Sequence, residues 1–144
     1  MATVEVSFTP LAAHVRTARL VATAVARRSG VAEALLDEVR LAVGEACSRA
    51  VEAHRLHCPA EPVRIALTSQ GGRFEVEVTD TGPAYAGPAG PVGPLRSGGA
   101  GDGAGLPPGF GVAVISGLAD DVQVSETESG TSIRMSWPSA GPAV

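Results

Sequence analysis

The chain has 144 residues, enough for one domain with a single hydrophobic core. Hydrophobic residues make up 44% of it, which excludes a fully disordered chain, and aromatic residues only 3%, so Ala, Val, Leu and Ile must build the core. The formal net charge is −4 and the basic residues are scattered. We therefore expect no direct binding to nucleic acid, because phosphate neutralisation requires clustered Lys and Arg.

The N-terminus and the cysteines bear on the cellular compartment. The first residues show neither the basic nor the apolar segment of a signal peptide, and no apolar run reaches the roughly 18–20 residues that span a bilayer. Two cysteines, Cys47 and Cys58, are too few for a disulfide framework and fit a reducing environment. We expect a cytoplasmic protein without a membrane partner, in which Cys47 is a small buried hydrophobe.

The first part of the chain contains the patterns of one strand and two helices. Residues 3–8 alternate as a half-buried strand does, and Pro10 ends this pattern. Apolar residues recur at helical spacing over 11–28 and again from about 31 to 55. The second helix has a wide apolar face, which predicts that it is largely buried.

A β-hairpin and a long loop follow. Residues 63–68 and 74–79 alternate between apolar and polar, and Gly71 and Gly72 provide a tight turn between them. Gly and Pro then dominate from Gly82 to Pro108, and no periodicity survives there. A loop of this length in a small domain is either functional or disordered.

The last part of the chain predicts a helix, two strands and a tail. The helix covers residues 112–118, the strands lie around 122–124 and 133–137, and the tail over 138–144 is expected to be disordered. The full order is β, α, α, β, β, loop, α, β, β. Tight turns between strands favour a mostly antiparallel sheet with the helices on one face, an α+β two-layer sandwich. We expect one domain over residues 1–137.

Three segments carry residues suited to nucleotide chemistry. They are Glu45–Arg49 on the long helix, Asp80–Gly82 at a strand end and Gly109–Val112 at the start of the third helix. Taken singly, each has a simpler interpretation. Glu45 and Arg49 have the spacing of a surface ion pair, Asp80 is a common turn residue, and the glycines suit a loop before a helix.

Taken together, the segments fit a purine nucleotide. A carboxylate leaving a strand can accept a hydrogen bond from the exocyclic amine of the base, and a glycine after it permits close approach. A glycine-led helix start presents backbone N–H groups and a positive dipole end to phosphates. A loop between them can close as a lid, and a carboxylate on a neighbouring helix can act as general base.

Four segments in this order resemble the sequence boxes of the GHKL ATPase superfamily, in the form found in RsbW-type anti-sigma-factor serine kinases. Residues 41–50 are similar to the N-box, 78–82 to the G1 box, 109–115 to the G2 box and 130–131 to the last box. The resemblance spans residues 3–137 and implies the GHKL, or Bergerat, ATPase fold.

The resemblance implies specific roles and partners. The roles in ATP binding and catalysis are general base for Glu45, adenine recognition for Asp80 with Gly82 and Thr131 beside it, phosphate binding for Gly109 and Gly111, and an ATP lid for residues 83–108. Members of the family bind a sigma factor of RNA polymerase and phosphorylate a serine of a STAS-domain anti-anti-sigma factor. They commonly form homodimers, so the resemblance implies a homodimer here.

The chain departs from the family pattern at three places. Arg49 stands where the family has an Asn that holds Mg²⁺, and an Arg side chain offers only hydrogen-bond donors. Its charge would instead neutralise phosphates directly. Ala84 replaces a glycine of the G1 box, and Pro107 with Pro108 replaces an Arg-Ser pair. We therefore expect weak or absent Mg-ATP binding and little kinase activity.

Two functions remain open from the sequence. The first is a partner-switching regulator with a degenerate ATP site, which Arg49 favours. The second is an active ATP-dependent kinase that phosphorylates an anti-anti-sigma factor. An ATP hydrolase or sensor-kinase fragment is disfavoured, because the chain is short and has no phosphoacceptor domain.

A small group of potential metal ligands lies at the end of the long helix. It consists of His54, His57 and Cys58, and its spacing matches no common zinc pattern. We predict no metal site there and interpret the group as a solvated helix end, with His54 in a helix-packing role.

Overall fold

The computed structural model describes residues 2–81 and 108–140. Within these ranges the helices and strands occur in the predicted order. They are β1 (Ala2–Phe8), α1 (Ala12–Arg28), α2 (Glu33–His57), β2 (Val63–Gln70), β3 (Arg73–Asp80), α3 (Pro108–Leu118), β4 (Asp121–Thr127) and β5 (Gly130–Pro138). Helix α3 begins at Pro108, four residues before the apolar run of 112–118 that predicted it. Both glycines of the third segment therefore lie within its first turns, in agreement with the expected glycine-led helix start.

The strands in the described part of the chain form one antiparallel sheet in the order β1-β2-β3-β5-β4. The β2–β3 hairpin turns at Gly71 and Gly72, whose φ angles of 61° and 77° lie in the left-handed region. Positive φ at both turn residues matches the right-handed twist of a two-residue hairpin, and glycine adopts it without steric cost. The predicted hairpin and antiparallel sheet are confirmed.

The three described helices pack on one face of the sheet, with α2 in the middle. Helix α2 contacts α1, α3 and the inner face of β2, β3 and β5. Small side chains permit this close packing, and six alanines of α1 and α2 are buried: Ala18, Ala22, Ala26, Ala42, Ala46 and Ala50. The core between the layers also contains Ile65, Val78, Ile133 and Trp137. The α+β two-layer sandwich is therefore confirmed.

The opposite face of the sheet is polar. Arg134 on β5 forms ion pairs with Glu75 and Glu77 on β3, at 3.2 and 3.7 Å. Arg73 pairs with Asp120 at 2.8 Å. This alternation of apolar and charged side chains along each strand is typical of a sheet with one solvated face.

Two predicted segments lie mostly or partly outside the described residues. Of the predicted lid, 83–108, only Pro108 is described, and it belongs to α3. Of the predicted tail, 138–144, Pro138 is the last residue of β5, and the Ser139 and Ala140 N–H groups donate to the carbonyls of Gly72 and Gly30. Among residues 2–81 and 108–140, no helix has the length and apolar character needed to cross a membrane.

Candidate nucleotide site

The centre of the candidate site is the end of β3. Asp80 is the last residue of this strand and lies opposite Thr131 in the β3–β5 pairing. Both residues are buried. Strand β5 begins at Gly130, whose φ is 142°, and a Cβ atom there would lie 1.9 Å from the Asp80 carbonyl oxygen. Only glycine permits this approach, so the start of β5 lies directly against Asp80.

Arg49 reaches this centre from α2. Its Nη1 lies 4.0 Å from Asp80 Oδ2, and only 9% of the Arg49 side chain and 5% of the Asp80 side chain are exposed. A buried ion pair loses much hydration, and removal of one partner costs about 3–5 kcal/mol because the other charge remains buried. The Asp80 carboxylate is therefore already engaged by a cation of the chain itself.

His54 is a second contact between α2 and the end of β3, and sequence reasoning assigned it no role there. Its side chain is fully buried. The Thr81 N–H donates to His54 Nε2 at 2.9 Å, and His54 Nδ1 lies 2.8 Å from the Glu61 carbonyl oxygen. This burial agrees with the predicted helix-packing role of His54, and the interpretation as a solvated helix end does not hold for this residue. The sequence contains a signal for this burial, because His54 continues the helical spacing of the buried residues Cys47 and Ala50.

The remaining predicted site residues fall in three places. Glu45 lies on α2, one helical turn before Arg49, and is half-buried. Gly109 and Gly111 lie in the first turns of α3, which packs against α2. Gly82 lies outside the described residues. The structure thus brings Asp80, Thr131 and Arg49 together, and it puts the two glycines on a helix that contacts the one carrying Arg49.

The residues present at the site fit a purine better than they fit a metal ion. Mg²⁺ requires oxygen ligands, and the guanidinium at position 49 supplies only donors. In the described part of the chain, no group of three or more His, Cys, Asp or Glu side chains is arranged to hold a metal ion. Asp80 offers an acceptor and Thr131 a hydroxyl to a base, but a base must compete with Arg49 for the carboxylate.

Cys47 does not supply a nucleophile. Burial raises the pKa of the Cys47 thiol to about 12, and the weaker opposing effect of the Arg19 charge does not offset it. Cys47 is completely buried, as predicted for a small hydrophobe. Cys58 is partly exposed, and its Sγ lies 3.9 Å from Thr81 Oγ1. A thiol that stays protonated is a poor nucleophile, so Cys47 is structural.

The chain is thus an α+β two-layer sandwich in which Asp80 lies at the end of a strand that the long helix α2 covers. The family described as the histidine kinase-like ATPase domain matches residues 8–137. The chain belongs to this family, which confirms the predicted membership of the GHKL ATPases. No curated protein matches the chain significantly.

One similar solved structure contains the RsbU and RsbW domains of Rv1364c from Mycobacterium tuberculosis. The two chains superpose with a TM-score of 0.67 at 15% sequence identity. The match covers 99% of this chain and 33% of that chain, so this chain spans about a third of the length of its neighbour. At this identity the likeness establishes a shared fold.

Proposed function

We propose that this chain is a partner-switching regulator of the anti-sigma type with an impaired ATP site. Its proposed partners are a sigma factor of RNA polymerase and a STAS-domain anti-anti-sigma factor, which it would bind in the cytoplasm as a homodimer. Membership of the histidine kinase-like ATPase family and the fold shared with a chain that contains an RsbW domain support this assignment. The impairment is supported by one observation, the buried contact between Arg49 and Asp80.

The Arg49–Asp80 contact weakens base recognition because both donors compete for one carboxylate. At 4.0 Å the guanidinium and the carboxylate have the separation of an ion pair, and their burial strengthens the attraction between the two charges. The adenine amine is a neutral donor and offers no such attraction. A base would therefore have to move the Arg49 guanidinium away from a carboxylate that is only 5% exposed. Arg49 also cannot replace the Asn that would hold Mg²⁺.

An active ATP-dependent serine kinase is the second candidate, and two features support it. Glu45 lies on α2 one helical turn before Arg49, and Asp80 faces Thr131 across the strand pair. In that case Arg49 would turn away from Asp80 and neutralise the phosphates of ATP. The kinase would then transfer the terminal phosphate to a serine of the anti-anti-sigma factor.

In the regulator, switching would be competition between two protein partners. A surface that binds either the sigma factor or the anti-anti-sigma factor, and not both, frees one when the other is abundant. The equilibrium then depends on the difference between the two affinities, and it needs no phosphate transfer.

The first test is calorimetric titration of ATP into the full chain, with and without Mg²⁺. We expect no measurable binding to the native chain and a gain of Mg-dependent binding in Arg49→Asn. Arg55→Asn is the matched control, because Arg55 is an exposed residue of the same helix that pairs with Glu52. Micromolar, Mg-dependent binding to the native chain would contradict the impaired site and favour the kinase.

A second measurement separates regulator from kinase directly. The native chain is incubated with radiolabelled ATP and a STAS-domain anti-anti-sigma protein, and both complex formation and phosphate transfer are followed. The regulator forms the complex without labelling the partner. Efficient labelling of a serine would establish the kinase instead.

A further inference from the structure

The end of β3 is held by α2 at two points, and His54 provides the second. Arg49 contacts the side chain of Asp80, and the His54 ring binds the backbone of the next residue, Thr81. The other side of β3 is fixed by β5, where Gly130 approaches the Asp80 carbonyl. The Asp80 carboxylate therefore leaves a strand end whose backbone is restrained from both sides.

The two ring contacts of His54 require one tautomer. A backbone N–H can only donate, so Nε2 must be the unprotonated acceptor of the Thr81 bond at 2.9 Å. A carbonyl oxygen can only accept, so Nδ1 must carry the proton toward Glu61 O at 2.8 Å. The ring is thus neutral and fully satisfied in a completely buried position. An imidazole used in this way connects three segments: α2, the loop after it and the end of β3.

We propose that His54 is a positioning residue that sets the orientation of the Asp80 carboxylate through its bond to Thr81. The bond fixes the peptide directly after Asp80 and thereby the direction in which the side chain leaves the strand. This assignment rests on the proposed function only where it concerns a bound purine. In the ligand-free chain, His54 orients the same carboxylate toward Arg49.

Nuclear magnetic resonance of the ligand-free, ¹⁵N-labelled chain tests the bond without any substitution. We expect the His54 ring to show a protonated Nδ1 and an unprotonated Nε2, and a scalar coupling across the hydrogen bond between Thr81 N and His54 Nε2. A ring protonated at Nε2, or the absence of this coupling from a well-resolved Thr81 signal, would overturn the proposal.

Two substitutions then separate the two ring contacts. A Gln amide reaches about as far along the side chain as Nε2, so His54→Gln can keep an acceptor for Thr81. An Asn amide reaches about as far as Nδ1, so His54→Asn can keep the Glu61 contact and loses the Thr81 contact. We expect His54→Asn to shift the Asp80 carboxyl and Arg49 guanidinium resonances, and His54→Gln to leave them near their native positions.

The effect of His54 on nucleotide binding is measured in chains that already carry Arg49→Asn. A misplacement of 1 Å can cost about a hundredfold, so adding His54→Asn, which displaces the carboxylate by less, should weaken Mg-ATP binding by about tenfold or more. Adding His54→Gln should cost much less. If both substitutions lower stability equally while the Asp80 and Arg49 resonances stay unchanged, His54 is merely structural and the proposal fails. Failure of Arg49→Asn to bind ATP would count against the proposed function, and the ligand-free resonances would still decide the role of His54.

Discussion

At the scale of single residues, two glycines of the described chain behave in opposite ways. Gly130 has a φ of 142° and no room for a Cβ atom, because the Asp80 backbone lies in its place. Gly117 lies on α3 with a helical backbone and open space where a Cβ atom would be. A Gly→Ala substitution should therefore change the free energy of unfolding in opposite directions at the two positions.

We predict that Gly130→Ala destabilises the chain by about 2 kcal/mol or more, because it combines backbone strain with a steric overlap against β3. Gly117→Ala should stabilise it by up to about 1 kcal/mol, because alanine is the better helix former. Urea denaturation of both variants measures the two changes. A Gly130→Ala variant as stable as the native chain would contradict the close approach of β5 to Asp80.

Cys47 makes a pH-dependent contribution to stability whose sign follows from its pKa. The pKa of this thiol is raised from 9.0 to about 12 by burial, so the unfolded chain loses this proton at a lower pH than the folded chain does. The contribution is complete below pH 9.0 and is lost as the pH rises towards about 12. One proton changes the free energy of unfolding by at most about 1.4 kcal/mol per pH unit in this window.

The comparison with Cys47→Ala isolates this effect. The free energy of unfolding should fall more steeply with pH above 9.0 in the native chain than in the variant. Parallel slopes for the two proteins would show that Cys47 does not remain protonated in the fold.

The residues of the candidate site differed in how far the sequence could predict them. The adjacency of Asp80 and Thr131 followed from the resemblance, because both belong to its boxes, and the strand pairing brings them together. The contact between Arg49 and Asp80 did not follow from the sequence. Helical spacing predicted a surface ion pair of Arg49 with Glu45, whereas tertiary packing brings Arg49 to Asp80. His54 was similarly ambiguous, because an ionisable residue near a helix end is usually solvated.

At the scale of elements, β5 and α3 are joined by the single Trp of the chain. The Trp137 Nε1–H donates to the carbonyl oxygen of Leu118, the last residue of α3, at 3.1 Å. Terminal carbonyls of a helix lack an intrahelical partner, so this bond satisfies one of them. The Trp137 side chain is also buried in the core, so it connects the helical layer to the sheet.

Trp137→Phe should cost about 2 kcal/mol or more, because it removes the bond to Leu118 and leaves a space in the core. The change is measured by urea denaturation followed by circular dichroism. Met135→Leu is the control, since it lies on the same strand, is buried and nearly conserves volume. Hydrogen exchange at Ala119, whose N–H donates to Ile115 O, should accelerate in Trp137→Phe alone. Equal acceleration in both variants would contradict a specific role of the indole bond.

The sequence predicted the elements well where periodicity and turn chemistry agree. The β2–β3 hairpin is the clearest case, since alternating side chains and two glycines specify both strands and the turn. Helix α3 was harder, because its first residues are Pro, Gly, Phe and Gly, and glycine is unfavourable inside a helix. Packing of α3 against α2 compensates for that weak local preference, and composition alone does not reveal such packing.

At the scale of the whole molecule, the fold needs no ligand to satisfy the charge at the end of β3. Arg49 supplies the positive partner of the buried Asp80 carboxylate from within the chain. In the proposed regulator this contact connects stability to nucleotide binding, because a substitution that frees the carboxylate for a base also removes its internal partner. Stability without ATP and affinity for ATP should therefore change in opposite directions.

Thermal unfolding with and without saturating Mg-ATP tests whether stability and affinity for ATP change in opposite directions. Arg49→Asn should unfold several degrees below the native chain without ligand, because loss of one partner of a buried pair costs about 3–5 kcal/mol. Mg-ATP should recover part of the loss, since ligand at a hundred times its dissociation constant stabilises by about 2.7 kcal/mol. The native chain should show no shift with ATP. Arg49→Asn combined with Asp80→Asn removes both charges, so it should regain stability without regaining the response to ATP. A double variant that responds as strongly as Arg49→Asn would mean that ATP binds without using the Asp80 carboxylate, which contradicts the prediction.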